Sequence, residues 1–347
     1  MALLLIEGFD TYNYATDAYL ASSIGDFPIE RTITNSGQGS LNLSGSSTLK
    51  IVIPFGGTSN EVYIGFAFYQ TARATSDNAI FEFLGGGGGD LYLTQETTGV
   101  LKFELSAANK TPTSGANVLQ VNTWHYIEVK IVKKNSIDAG DVSLRVDGAE
   151  WIELDAATDT LYSVNPAYTD TIEFRCLTGA ERYIDDLYVC DETGPINNTF
   201  LGPVKVETLY PDGEGDVNDF TGSDADSTDN HLHVDEVTGQ DDDTSYVESD
   251  TADHIDLYTL DDMAATIDII HGIDAVSVVK NDVMGGGSVR QGASIVRIGG
   301  SNYQGDTFNI GSPYTHRHNI LEENPDDAAA WEEADINALE AGIKVVA

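Results

Sequence analysis

Thr123-Trp124-His125-Tyr126-Ile127-Glu128-Val129-Lys130-Ile131-Val132 alternates without a break: His125, Ile127, Val129 and Ile131 face one way, Trp124, Tyr126, Glu128 and Lys130 the other. A period of two marks a β-strand with one buried face. Downstream, Val142-Ser143-Leu144-Arg145-Val146-Asp147-Gly148 alternates again and ends in an Asp-Gly turn signal. Thr171–Cys176 and Tyr183–Val189 complete a set of amphipathic strands. Such strands cannot bury their apolar faces alone and require a second sheet packed against them. A hairpin turning near Gly179 is expected to pair Cys176 with a residue near Ile184, leaving Cys190 well beyond reach. Both cysteines are therefore expected as free thiols, which suits assembly in a reducing cytoplasm.

Working upstream, the pattern repeats. Residues 2–6, Ser40–Leu43, Leu49–Ile53, Ile80–Leu84, Leu91–Leu93 and Val100–Leu105 read as strands separated by Gly, Ser and Thr turns. Glu61–Tyr69 is apolar on both faces and reads as a central strand. The five glycines at 85–89 are followed by no helical pattern, so they read as a hairpin tip rather than a nucleotide loop. The fold class that follows is all-β: a two-sheet antiparallel sandwich, then a smaller β-rich domain.

The chain of 347 residues carries 57 acidic against 17 basic side chains, a formal net charge of -40. Such a surface repels nucleic acid and anionic membrane, so neither is expected as a partner. Ala2–Ile6 is apolar but too short for a secretory signal and lacks a basic flank. No apolar run approaches the ~20 residues of a membrane helix.

The Phe9-Asp10 start, Gly39-Ser40-Leu41-Asn42-Leu43, Trp124–Val129, Val146-Asp147-Gly148 and the closing Ile184-Asp185-Asp186-Leu187-Tyr188-Val189 together resemble the concanavalin A-like lectin/glucanase jelly roll in its laminin-G-like form. That resemblance covers residues 1–192 and implies a first strand lying beside the last, Leu3–Ile6 next to Ile184–Val189. Gly194, Pro195, Asn197 and Asn198 give 193–203 the composition of a linker. From Val204 a second, more acidic unit runs to residue 347. Asn324-Pro325-Asp326-Asp327 reads as the start of a C-terminal helix running through Trp331, Ile336 and Leu339 to Gly342, before a last strand at Ile343–Val346. Leu209–Asp216, Val234–Glu236, Asp241–Tyr246 and Trp331–Gly342 resemble the tail half of structural proteins of tailed bacteriophages.

Four constellations could carry chemistry. Glu153-Leu154-Asp155-Ala156-Ala157-Thr158 approaches the Glu-x-Asp-x-x-Glu of jelly-roll glucanases, but Thr158 stands where the acid is needed, so no catalytic residue is expected. Asp212, Glu214, Asp216 and Asn218 alternate as oxygen ligands of a loose calcium turn or as the side chains of a hydrated acidic turn; no cofactor is required, and calcium is the one the sequence allows. Asp185-Asp186 and Asp241–Asp243 are weaker calcium turns. His231/His233 and His316/His318 are i,i+2 pairs without further zinc ligands at any suggestive spacing. Trp124, Tyr126, Trp151 and Tyr162 could stack on sugar rings.

The expectation from all of this is a non-enzymatic structural component of a tailed-phage particle: a capsid decoration, head fibre or tail-associated protein. It would assemble in the host cytoplasm, self-associate, contact other virion proteins and display a lectin-like domain to host glycans. Its alternatives are a glycan-active hydrolase of the jelly-roll type and a calcium-dependent lectin.

Overall fold

The computed structural model describes residues 2–11, 29–45, 50–85, 88–105, 112–134, 140–158, 160, 167–264, 269–282 and 290–347. The chain divides into two compact units, the first ending at Val206 and the second taking over at Glu207.

The first unit is built from β1 (Leu3–Glu7), β2 (Ile29–Glu30), β3 (Ser40–Asn42), β4 (Lys50–Pro54), β5 (Glu61–Gln70), β6 (Asn78–Gly85), β7 (Gly88–Gln95), β8 (Val100–Leu105), β9 (Thr113–Val118), β10 (His125–Val132), β11 (Gly140–Val146), β12 (Ala149–Thr158), β13 (Thr171–Arg175) and β14 (Arg182–Asp191). The larger sheet runs β12-β11-β10-β5-β14-β3-β2 with β1 alongside β14; the smaller runs β4-β13-β6-β7-β8-β9. As the jelly-roll resemblance implies, the first strand lies beside the last, with Leu5 opposite Val189 and Glu7 opposite Leu187.

The alternation that marks β10 decides which side meets the other sheet. Ile127, Val129 and Ile131 are fully buried, and so are Ile64, Phe66 and Phe68 of the central strand β5. Across the interface, Phe66 stands edge-on to Phe81 of β6 and Phe174 of β13, with ring centroids 5.5 and 5.0 Å away. Edge-to-face rings at this separation are a favoured aromatic arrangement, and these three tie the two layers together. Asp147 and Gly148, between β11 and β12, both have positive φ, at 52° and 76°. That is the backbone of a two-residue hairpin turn whose twist suits the flanking strands.

The expected hairpin between β13 and β14 does not exist. β13 belongs to the smaller sheet and β14 to the larger, so the turn at Gly179 carries the chain across the sandwich. Ile184 pairs with Phe68 and Leu41 instead of with Cys176. Both cysteines are free and buried.

The outer face of the larger sheet is covered by residues 199–206, part of the stretch read as linker and as the start of the next unit. The Phe200 ring packs edge-on to Tyr63 at 5.1 Å, with the Arg145 guanidinium 4.2 Å above it. Leu201 N–H donates to the Tyr188 hydroxyl (3.1 Å), Gly202 N–H to Glu128 Oε1 (2.8 Å) and Val206 N–H to Asp186 Oδ1 (2.7 Å). The Tyr188 ring covers Gly65 of the neighbouring strand, where a Cβ would overlap ring carbons.

In the second unit a sheet runs through Pro211–Asn218, Ile255–Leu260, Glu340–Val345, Arg290–Ile298 and Ser301–Gln304, with Phe308–Ile310 also paired to Arg290–Ile298. Its core gathers Val296, Ile298, Trp331, Ile336 and Leu339. The expected long helix shrinks to Glu333–Ile336, opened by a capping box between Glu332 and Asp335. Asn324 Oδ1 accepts the Asp326 N–H, Ala328 takes a left-handed φ of 58°, and Asn324 bridges back to Ala329. The apparent N-terminal signal thus closes a tight turn, and the helix begins only after Trp331. No helix among the described residues is long and apolar enough to cross a membrane.

Overpacking a filled interface typically costs ~1–3 kcal/mol. Gly65→Ala, which forces Tyr188 off β5, is therefore expected to lower unfolding free energy by about 2 kcal/mol, read as a lower urea midpoint at unchanged slope.

Candidate functional site

Alternation sets up the outer face of the smaller sheet. Phe174, Phe81, Phe83, Leu91, Leu93, Leu101 and Phe103 turn inward, so Glu173, Glu82, Tyr92 and Glu104 turn outward. Register then lines these four up across adjacent strands: Glu173 opposite Glu82, Glu82 opposite Tyr92, Tyr92 opposite Glu104. Like charges placed directly opposite destabilise a sheet. Arg175 offsets the clash, its Nη2 lying 2.6 Å from Glu82 Oε2 and 2.6 Å from Glu173 Oε1. The two carboxylates are almost wholly out of water, at 4% and 1% side-chain exposure, while the guanidinium above them is 29% exposed.

Electrostatics follow from this packing. Partial burial works against the charge on Arg175, yet Glu82 and Glu173 outweigh it and raise its pKa. Burial, then the hydrogen bond to Glu82, pushes the Tyr92 phenol up to about 12. The Arg175 guanidinium sits 5.9 Å from the Tyr92 ring centre. One strand further, Lys102 Nζ bridges Asp77 (2.7 Å) and Glu104 (3.2 Å). The face thus offers a buried acid pair, a cation over it, a phenol in line and exposed acceptors at its margin. Sequence reading missed it, because only β-sheet register brings Glu82 and Glu173 together.

The residues singled out in the sequence lie elsewhere. Glu153 is exposed on β12 of the other sheet, its pKa raised by partial burial and then by Asp141 and Glu150. Tyr126 is buried, with its hydroxyl donating to the Asp186 carbonyl at 3.0 Å, so it has no free face for a sugar. Trp151 is half-buried on β12, Trp124 half-buried just before β10, and Tyr162 lies outside the described residues.

The expected calcium turn is a strand, Pro211–Asn218, whose side chains are engaged separately. Asp212 accepts from Thr259 (2.7 Å), Glu214 from Asn218 (2.7 Å), and Asp216 pairs with Arg297 (2.8 Å). Among the described residues, no three His, Cys, Asp or Glu side chains are gathered as metal ligands. His231 stands 2.9 Å from Glu214 and His318 2.7 Å from Asp274, each His paired to a carboxylate.

Asp185 and Asp186, also read as a weak calcium turn, are fully buried. Asp185 Oδ2 accepts the backbone N–H groups of Asn35 (2.7 Å) and Ser36 (3.2 Å). Asp186 accepts from the Ser36 hydroxyl, the Asn35 amide and Val206 N–H. Burial, then the neighbouring Asp186, pushes Asp185 up to about 8.

No family model matches the chain, and no curated protein matches it. Among solved structures, alginate lyase Aly36B is similar at a TM-score of 0.41 and 13% identity, over 56% of this chain and 98% of that one. A sialidase is similar at 0.36 and 12% identity, over 55% of this chain and 19% of its own. The T. cruzi calreticulin globular domain is similar at 0.37 and 9% identity, over 55% and 89%. The expectation of a chain without enzymatic activity does not stand beside these matches, two of which are named as enzymes.

A carboxyl whose folded pKa is raised favours the folded state below its unfolded value and loses that contribution as pH rises through the folded one. Between the ordinary value of 3.8 and about 8, the Asp185–Asp186 pair therefore makes folding progressively less favourable. Urea midpoints measured across that range are expected to fall more steeply for the native chain than for Asp185→Asn.

Proposed function

We propose that the first unit is a glycan-active β-sandwich and that Glu82 and Glu173 are its acid pair. The observation that carries this reading is their cross-strand register beneath Arg175. Side chains directly opposite on antiparallel strands have Cβ atoms ~4.5–5.5 Å apart. The Glu82 and Glu173 carboxylates both reach one nitrogen, Arg175 Nη2, at 2.6 Å, which keeps them close enough together to act as the pair of a retaining glycosidase, whose carboxyl groups stand ~5–5.5 Å apart.

In this reading Glu173 gives a proton to the leaving glycosidic oxygen while Glu82, which accepts from Arg175 and the Tyr92 phenol, attacks the anomeric carbon. Glu173 then takes a proton from the water that releases the sugar from Glu82. Arg175 positions both carboxylates and swings off them when substrate enters. The Tyr92 ring and the exposed Glu104 and Asp77 supply a stacking face and hydroxyl acceptors. A net charge of -40 works against polyanionic chains, so the substrate class is a neutral glycan.

The same chain is proposed to be carried on a tailed-phage particle, as capsid decoration, head fibre or tail-associated protein, in contact with other virion proteins and with copies of itself. This rests on the resemblance carried by Leu209–Asp216, Asp241–Tyr246 and Trp331–Gly342. Mass spectrometry of purified particles should then detect the chain; its consistent absence removes this reading while leaving the acid pair untouched.

Proton transfer by a positioned side chain typically contributes ~10²–10⁴-fold. Glu82→Gln and Glu173→Gln are each expected to reduce release of reducing sugar from neutral polysaccharide by at least about 100-fold, with circular dichroism unchanged. Native-like rates in both variants would refute the assignment.

A further inference from the structure

The strap formed by residues 199–206 makes its described contacts at Tyr63, Glu128, Arg145, Asp186 and Tyr188. Further along β5, beyond those contacts, the larger sheet presents a row of aromatic rings. Tyr69 packs against Trp124, with ring centroids 5.4 Å apart and planes inclined at 50°, and against Tyr183 of β14 at 5.9 Å and 69°. Tyr183 is buried and forms the base, while Trp124 and Tyr69 stay half-open to solvent.

The rim of this row is polar and fixed. The Tyr69 hydroxyl donates to Asn122 Oδ1 (3.4 Å) and the Tyr183 hydroxyl to Glu181 Oε2 (2.9 Å); both acceptor residues are exposed. Asn122 is locked in a left-handed turn at φ 56°, its N–H donating to the Gln70 carbonyl. The sandwich core does not need these rings, since the inward positions of β5 and β10 are filled by Phe66, Phe68, Ile127 and Val129.

We infer that Trp124 and Tyr69, with Asn122 and Glu181 at their edge, form a second, non-catalytic docking site for a neutral glycan on the sheet opposite the acid pair. The C–H face of a pyranose stacks on the open rings while its hydroxyls reach the amide and carboxylate. Aromatic side chains with a polar handle suit such half-wet contacts. Glu181, and the acidic surface generally, disfavour a polyanionic chain. The choice of a glycan as ligand rests on the reading given under Proposed function, but the site is built from different residues on a different sheet.

Affinity electrophoresis of the full chain, in gels containing a soluble β-glucan, a galactomannan, a dextran or, as acidic control, alginate, tests this directly. The native chain should be retarded by at least one neutral polymer and not by alginate. Trp124→Ala should lose at least about tenfold in affinity, the loss expected when an aromatic contact worth ~1.4 kcal/mol is removed. Trp124→Phe should retain retardation, which separates loss of the ring from misfolding, and Glu82→Gln should bind like the native chain. No retardation by any neutral polymer, or full retardation of Trp124→Ala, overturns the docking site. If Trp124-dependent retardation persists without any glycan cleavage by the native chain, the acid-pair reading falls and the docking site stands.

Discussion

Every one of the ten residues of β14 is out of water, and the rest of the first unit is arranged to make that tolerable. A strand buried on both faces ordinarily reads as a continuous apolar run. This one alternates Ile184, Leu187 and Val189 toward the smaller sheet with Asp186, Tyr188 and Cys190 on the other side. Burying such polar groups unpaired costs several kcal/mol in an apolar setting (roughly 2–7 each). The strap answers them one by one: Leu201 N–H on the Tyr188 oxygen, Val206 N–H on Asp186, the Thr199 carbonyl on the Cys190 thiol at 3.4 Å. Tyr188 in turn donates to the buried Glu128 at 2.7 Å. The strap is thus chemically matched to the strand beneath it.

Much of the sandwich was legible because period-two alternation survives in β8, β10 and β11, and because β5 is apolar on both faces. Glu61–Tyr69 reads as central and is central, between β10 and β14. What sequence could not decide was connectivity. Gly179 gives a correct turn signal, but a turn can close a hairpin or throw the chain across a sandwich, and the local residues are the same in both cases. Asn324-Pro325 misled for a related reason: an Asn side chain caps a turn as readily as a helix. Strands in the acidic half, such as Pro211–Asn218, were hidden because their carboxylates meet partners like Thr259 and Arg297 rather than solvent.

The acid pair was illegible on different grounds. Glu82 and Glu173 belong to unremarkable amphipathic segments, and each alone is an outward-facing glutamate on a half-buried strand. Their significance appears only when β13 and β6 pair in register. A slip of one residue would send both side chains toward Phe66 and the core, which the hydrophobic pattern forbids. The aromatic triad of Tyr69, Trp124 and Tyr183 is likewise an effect of register and turn placement. Trp124 was visible as a candidate, while its two partners were not.

The cover over the larger sheet also changes where the molecule can be cut. Ending an expressed fragment at Asp191, where the last strand stops, would strip Phe200 from Tyr63 and Arg145 and leave Glu128 and Asp186 facing solvent without their amide donors. The exposed tyrosine-rich surface would then favour sticking to other copies. A fragment retaining residues through Val206 keeps its own lid, and that is where dissection of this chain should begin.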